Sequence, residues 1–245
     1  MSALEQKIGP LQCVVIDGGE APTIPVVLCH GFGAPGDDLV PLGQYLLEML
    51  GDDADKFRFV FPTAPISLAD QGMPGGRAWW PLNMQRLMEL FQTNDFSELR
   101  RQEPPGIDEA RQMLTETIEA VAGDFDKDAP LVIGGFSQGA MVSLDVALRG
   151  LKDPPAGLIQ WSGTLICEAQ WKAVAADRLK SVDALQSHGH SDFVLPMIGA
   201  QWLSELLDES SANFEFIQFD GPHTIPMESL QATAELLRRV AANAS

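Results

Sequence analysis

A serine held between two glycines, in Gly135-Phe136-Ser137-Gln138-Gly139, is the pattern in this chain best suited to chemistry. It stands where an apolar run, Leu131 to Gly134, gives way to Ala140, Met141, Leu144, Ala147 and Leu148 at helical spacing. Strand, tight turn and helix in that order lift a serine hydroxyl clear of a sheet, and the glycines let neighbouring backbone pass closely. A hydroxyl so placed can attack an acyl carbonyl, provided an imidazole takes its proton and a carboxylate orients the imidazole. A glycine-rich turn whose serine merely caps a helix would account for the serine but not for both glycines. A phosphate loop is excluded here, because no Gly-Lys-Ser/Thr follows and these glycines form no G-x-G-x-x-G.

Four histidines could supply the base: His30, His188, His190 and His223. The chain order serine, acid, histidine, with the histidine in a loop after the last strand, selects His223 in Asp220-Gly221-Pro222-His223. For the acid, Asp192 follows the run Ala184 to Ser187 within His188-Gly189-His190-Ser191-Asp192. Asp220 competes, three residues before His223, but its place at a strand end suits turn capping. His188 and His190 can also be read as a metal pair with Asp192; the chain offers too few further ligands of suitable geometry, so roles in structure or in support of the catalytic groups suit the two histidines better, and no metal is expected. His30-Gly31-Phe32-Gly33 follows another apolar strand, Val26 to Cys29. An oxyanion needs two preorganised N–H donors, which the motif assigns to Gln138 and to this loop, at Phe32. His30 would shape that loop through backbone hydrogen bonds.

The elements that must position these residues alternate along the chain. Val26 to Cys29, Phe57 to Phe61, Leu131 to Gly134, Leu158 to Trp161, Ala184 to Ser187 and Phe214 to Phe219 read as strands. Ile107, Ala110, Leu114, Ile118 and Val121 repeat at helical spacing, as do Met227, Leu230, Ala234, Leu237 and Ala241. The alternation predicts an α/β fold: a mostly parallel central sheet with helices on both faces. Cys13 to Ile16, followed by Asp17-Gly18-Gly19, reads as an antiparallel edge strand and turn. Residues 62–106, rich in Pro, Gly, Met and Trp, break the rhythm and suit the wall or cap of a pocket within a single domain spanning 1–245.

The net charge of −18, with no basic cluster beyond two Arg-Arg pairs, excludes binding to nucleic-acid phosphates and anionic membranes. No apolar run is long enough to span a bilayer, and Met1 to Pro10 does not read as an export signal. Cys13, Cys29 and Cys167 are widely separated and read as reduced thiols, so a cytoplasmic setting is expected.

With these residues in place, the chain resembles the phospholipase/carboxylesterase family of α/β-hydrolases, which includes the acyl-protein thioesterases. The matching stretches are His30-Gly31-Phe32-Gly33, Gly135 to Gly139, Ser162-Gly163, His188-Gly189 leading to Asp192 and Pro196, and Gly221-Pro222-His223, nearly the whole chain. The resemblance implies Ser137, Asp192 and His223 as a catalytic triad, with Phe32 and Gln138 as oxyanion donors. It implies cofactor-free cleavage of small-molecule carboxylic esters or thioesters through an acyl-enzyme, and is compatible with a homodimer. The chain departs from the pattern at Thr224-Ile225-Pro226, after the histidine, and at Ala140, where a second glycine is common. Trp79-Trp80-Pro81 resembles an aromatic wall beside the acyl site, so Trp79, Trp80, Met84 and Phe193 are candidate substrate contacts; an apolar helix face is the competing reading for the methionines. The rival functions are a triad peptidase or amidase, which would need a peptide-recognition module, and a non-catalytic hydrolase-fold binding protein, which would lack a triad member.

Overall fold

The computed structural model describes residues 3–83, 89 and 95–244. Strands β1 (Leu4–Ile8), β2 (Leu11–Asp17), β3 (Ile24–Cys29), β4 (Phe57–Pro62), β7 (Val132–Phe136), β8 (Gly157–Trp161), β9 (Asp183–Gly189) and β10 (Asn213–Phe219) form one sheet in the order β1-β2-β4-β3-β7-β8-β9-β10. The pairings β1/β2 and β2/β4 are antiparallel and all others parallel. A short hairpin of β5 (Ile66–Ser67) and β6 (Arg77–Ala78) stands apart from it.

Alternating side chains of the central strands feed two separate cores, as a period of two requires. Val27, Cys29, Ile133, Leu158 and Ala184 face one layer, built from helices α3 (Ile107–Ala122), α4 (Gln138–Asp145), α5 (Glu168–Arg178) and α6 (Met197–Ser210). Val26, Leu28, Val132, Ile159 and Leu185 face the other, covered by α1 (Val40–Leu50) and α7 (Met227–Asn243). A one-turn helix, α2 (Ser97–Arg101), lies in the long connection before α3.

Every strand read from the sequence is present, with two corrections. Cys13 to Ile16 is not an edge: β2 is internal, and the polar strand β1 pairs with its outer side through Leu4↔Val15 and Gln6↔Cys13. The apolar stripe of α7 begins at Leu230, because Met227 in its first turn is half exposed. Helix α4 is buried on all sides rather than along one stripe. Even its last residue, Asp145, is fully buried, held by Arg111 Nη1 at 2.9 Å, Arg149 Nε at 2.6 Å and the Trp171 indole N–H at 2.7 Å. Those ties fasten the helix behind the serine to α3 and α5, and no sequence motif announces them.

The topology also says where a site should form. From β3 the chain passes to β4 on one side, and later returns to β7 on the other, so strand order reverses between β3 and β7. In a parallel sheet a crevice opens at the carboxyl ends of such a pair.

Candidate active site

Ser137 and the His30 loop stand on the two sides of that crevice. Ser137 leaves the end of β7 with φ 56° and ψ −118°, a conformation that L-residues rarely adopt and that a strained turn must hold. Its N–H is anchored to the Trp161 carbonyl at the end of β8, 2.9 Å away. The turn closes only because Gly139 is bare: a Cβ there would lie 2.0 Å from the Cys29 carbonyl oxygen and 2.5 Å from that of His30.

The same approach brings the His30 loop onto the serine, since a Cβ on Gly31 would stand 3.3 Å from Ser137 Cβ. The next residue, Phe32, and the first residue of α4, Gln138, give their backbone N–H groups to no other group among the described residues. An N–H at a helix start has no intrahelical acceptor in any case, and both are available to a developing oxyanion. Gln138 is needed twice, because its buried side chain accepts from the Trp79 N–H at 2.8 Å and donates to the Trp80 carbonyl at 2.9 Å.

His30 fixes the loop from below. Its Nε2 accepts the Ala64 N–H at 3.1 Å, so the proton sits on Nδ1 and is donated to the Gly31 carbonyl at 2.8 Å. Burial keeps this imidazole below its ordinary value and neutral. The Trp79 indole N–H bonds the His30 carbonyl at 3.0 Å, and Gly33 and Ala34 pair with Arg77. Gly31, Gly33 and Gly36 spell G-x-G-x-x-G after a strand, but Asp37 and Asp38 precede α1 where a pyrophosphate would need bare N–H groups.

On the far side of β7, His223 and Asp192 meet. The His223 Nδ1–H donates to Asp192 Oδ2 at 2.6 Å, while Asp192 Oδ1 accepts the Val194 and Leu195 N–H groups, each at 2.8 Å. Burial pushes the Asp192 carboxyl up, yet His223 and the two N–H donors outweigh it and hold the group below its ordinary value. Asp220 is exposed and is not the carboxylate at His223. The two loops close on each other through Gly189, where a Cβ would sit 2.3 Å from the Gly221 oxygen. The His223 ring packs on Phe136 at 4.6 Å between centroids, and the Ser162 hydroxyl donates to the Thr224 carbonyl at 3.3 Å. These contacts set the imidazole beside the residue that precedes Ser137.

The remaining expectations fare differently. Trp79 and Trp80 are 1% and 2% exposed and belong to the core beneath the His30 loop. Met84 lies outside the described residues. Phe193 is 81% exposed on the Asp192 loop, and a separate hollow of about 430 Å³ is lined by Asp95, Phe96, Ser97, Pro196, Ile198 and Trp202. His190 is exposed, and no cluster of three or more metal-ligating side chains occurs among the described residues. The three cysteines are free and buried, and no described helix is long and apolar enough to cross a membrane. Sequence reasoning missed the side-chain task of Gln138; His188, expected in a structural or supporting role, lies fully buried against Asp192.

Comparison with known proteins points one way. A family model described as Phospholipase/Carboxylesterase matches residues 11–241. Acyl-protein thioesterase 1 of Mycosarcoma maydis is 28% identical over 243 residues, covering 95% of each chain. The crystal structure of esterase PE8 superposes with a TM-score of 0.76 at 28% identity, covering 92% of this chain and 97% of its own. Acyl-protein thioesterase 2 of Zea mays shares the fold, with a TM-score of 0.65 at 20% identity over 93% of this chain and 98% of its own.

Proposed function

The chain belongs to the phospholipase/carboxylesterase family of α/β-hydrolases, and from that membership we propose that it cleaves carboxylic esters, thioesters included, through an acyl-enzyme on Ser137. The Ser137 hydroxyl attacks the acyl carbonyl carbon and its proton passes to His223 Nε2. His223 Nδ1–H stays on Asp192, whose negative charge stabilises the imidazolium. The carbonyl oxygen, now an anion, receives the Phe32 and Gln138 N–H groups. Collapse of the tetrahedral species breaks the bond to the alkoxide or thiolate, which leaves with the proton from Nε2. Water then attacks the acyl-serine, gives a proton to the same nitrogen, and a second collapse returns that proton to Ser137 as the free acid departs.

The observation that supports this reading most is the 2.6 Å contact of His223 with the dehydrated Asp192, the imidazole packing on the Phe136 ring that precedes a serine held at positive φ. The free buried thiols favour a cytoplasmic setting. A fluorophosphonate should label Ser137 in the wild type and nothing in Ser137→Ala, whose turnover should fall by about 10⁴- to 10⁶-fold. Labelling of another serine would overturn the assignment. A series of p-nitrophenyl esters of increasing acyl length, run beside one acyl thioester, reads the substrate class.

A further inference from the structure

Asp192 faces a second imidazole that the proposed mechanism does not use. His188, at the end of β9, is fully buried, and its Nε2 lies 2.9 Å from the Leu195 carbonyl oxygen and 3.3 Å from Asp192 Oδ2. A carbonyl can only accept, so the Nε2 carries the proton and points it at Leu195. The other ring nitrogen, Nδ1, is then a bare acceptor, and it is buried without a hydrogen-bond partner.

We infer that His188 is a positioning residue for Asp192: its N–H clamps the Leu195 peptide that presents N–H donors to Oδ1 and sets a positive dipole beside Oδ2, the oxygen that His223 binds. The inference rests on the proposed triad. Three observations carry it. The Leu195 carbonyl is bound by His188 while the Leu195 N–H is bound by Asp192, so the imidazole and the carboxylate hold one residue from its two ends. Oδ2 stands between two imidazoles, at 2.6 Å from His223 Nδ1 and 3.3 Å from His188 Nε2, and so cannot swing away from either without losing contact. Nδ1 is left unsatisfied, which a side chain kept only for packing would avoid, because an apolar residue fills the same space without an orphaned acceptor. Burial holds this imidazole below its ordinary value; Asp192 and His223 are the charged groups that face it, and a neutral ring leaves the negative charge of Asp192 to His223 alone.

The test uses the full chain with His188→Leu and His188→Gln, the second of which retains an N–H donor for Leu195. His188→Leu should lower kcat by about 10- to 100-fold, the scale of a small misplacement of catalytic groups, with KM near the wild-type value. The far-downfield proton resonance of the His223–Asp192 bond should be lost or moved in this variant. His188→Gln should restore both kcat and the resonance. A folded His188→Leu with unchanged kcat and an unchanged resonance would overturn the inference, as would a kcat loss shared by both variants while the resonance stays in place. Wild-type imidazole nitrogen shifts decide the matter even if a variant fails to fold: His188 must be the neutral Nε2–H tautomer at about pH 7, and an Nδ1–H form would refute the clamp. Asp192→Asn separates the two readings. If it leaves turnover intact, the triad assignment itself is wrong; if it abolishes turnover while His188→Leu does not, only the role of His188 falls.

Discussion

Protonation at the site follows from which groups donate to which. His30 must accept from Ala64, and His188 must donate to Leu195, so each imidazole is neutral with its proton on a different nitrogen. Both are held by burial below the ordinary value of 6.5, and the unfolded chain therefore takes up their protons first as the pH falls beneath that value. Asp192 acts lower on the scale: its contribution is complete above 3.8 and is lost as the pH drops through its depressed native value. All three effects destabilise toward acid. The urea midpoint should accordingly be lower at about pH 5.5 than at about pH 7.5, and His188→Gln should flatten part of that slope. A midpoint that stays level or rises on acidification would contradict the neutral state of both rings. The turn geometry of this site was legible because the elbow and the His-Gly loop are local patterns. The buried partners of Gln138 and His188 were not, since they depend on segments that meet only in the fold.

At the scale of elements, strands were read well where apolar side chains face both layers, as in β3, β4 and β7. β1 escaped because Leu4-Glu5-Gln6-Lys7-Ile8 is mostly exposed and its pairing with β2 comes from main-chain bonds that composition does not report. The same limit hid the order of strands, and with it the internal position of β2. The pair Trp79-Trp80 shows how a motif can be recognised while its surroundings stay hidden in the sequence. Aromatic content suggested a wall facing substrate, whereas the side chain of Gln138 ties that segment under the elbow and both rings enter the core. Trp80→Ala should therefore cost about 3 to 5 kcal/mol of stability, the usual range for emptying a buried aromatic site. Its remaining activity should fall by a similar factor on short and long acyl esters. Denaturant unfolding and the ester series check this together; a selective loss on long chains with stability unchanged would return Trp80 to the pocket.

The molecule as a whole carries a net charge of −18, the balance of 34 acidic and 16 basic side chains. A field of that sign repels anionic substrates over distances that salt shortens, about 10 Å at 0.1 M. Raising the ionic strength should increase kcat/KM for an ester bearing a free carboxylate and leave an uncharged ester of equal length nearly unaffected, as stopped-flow kinetics at two salt concentrations would show. Equal responses would mean that the field does not reach the crevice. The order of the site along the chain has a further consequence, for biosynthesis. Phe32, Ser137 and Asp192 are all translated before His223, whose loop is seated by α7, and α7 in turn packs on α1. Synthesis at about 5 to 20 residues per second thus exposes the serine several seconds before its base arrives. On this reading the nascent chain is chemically silent until His223 is seated, and ribosome-tethered chains should react with a fluorophosphonate only when an added C-terminal tether holds α7 outside the exit tunnel.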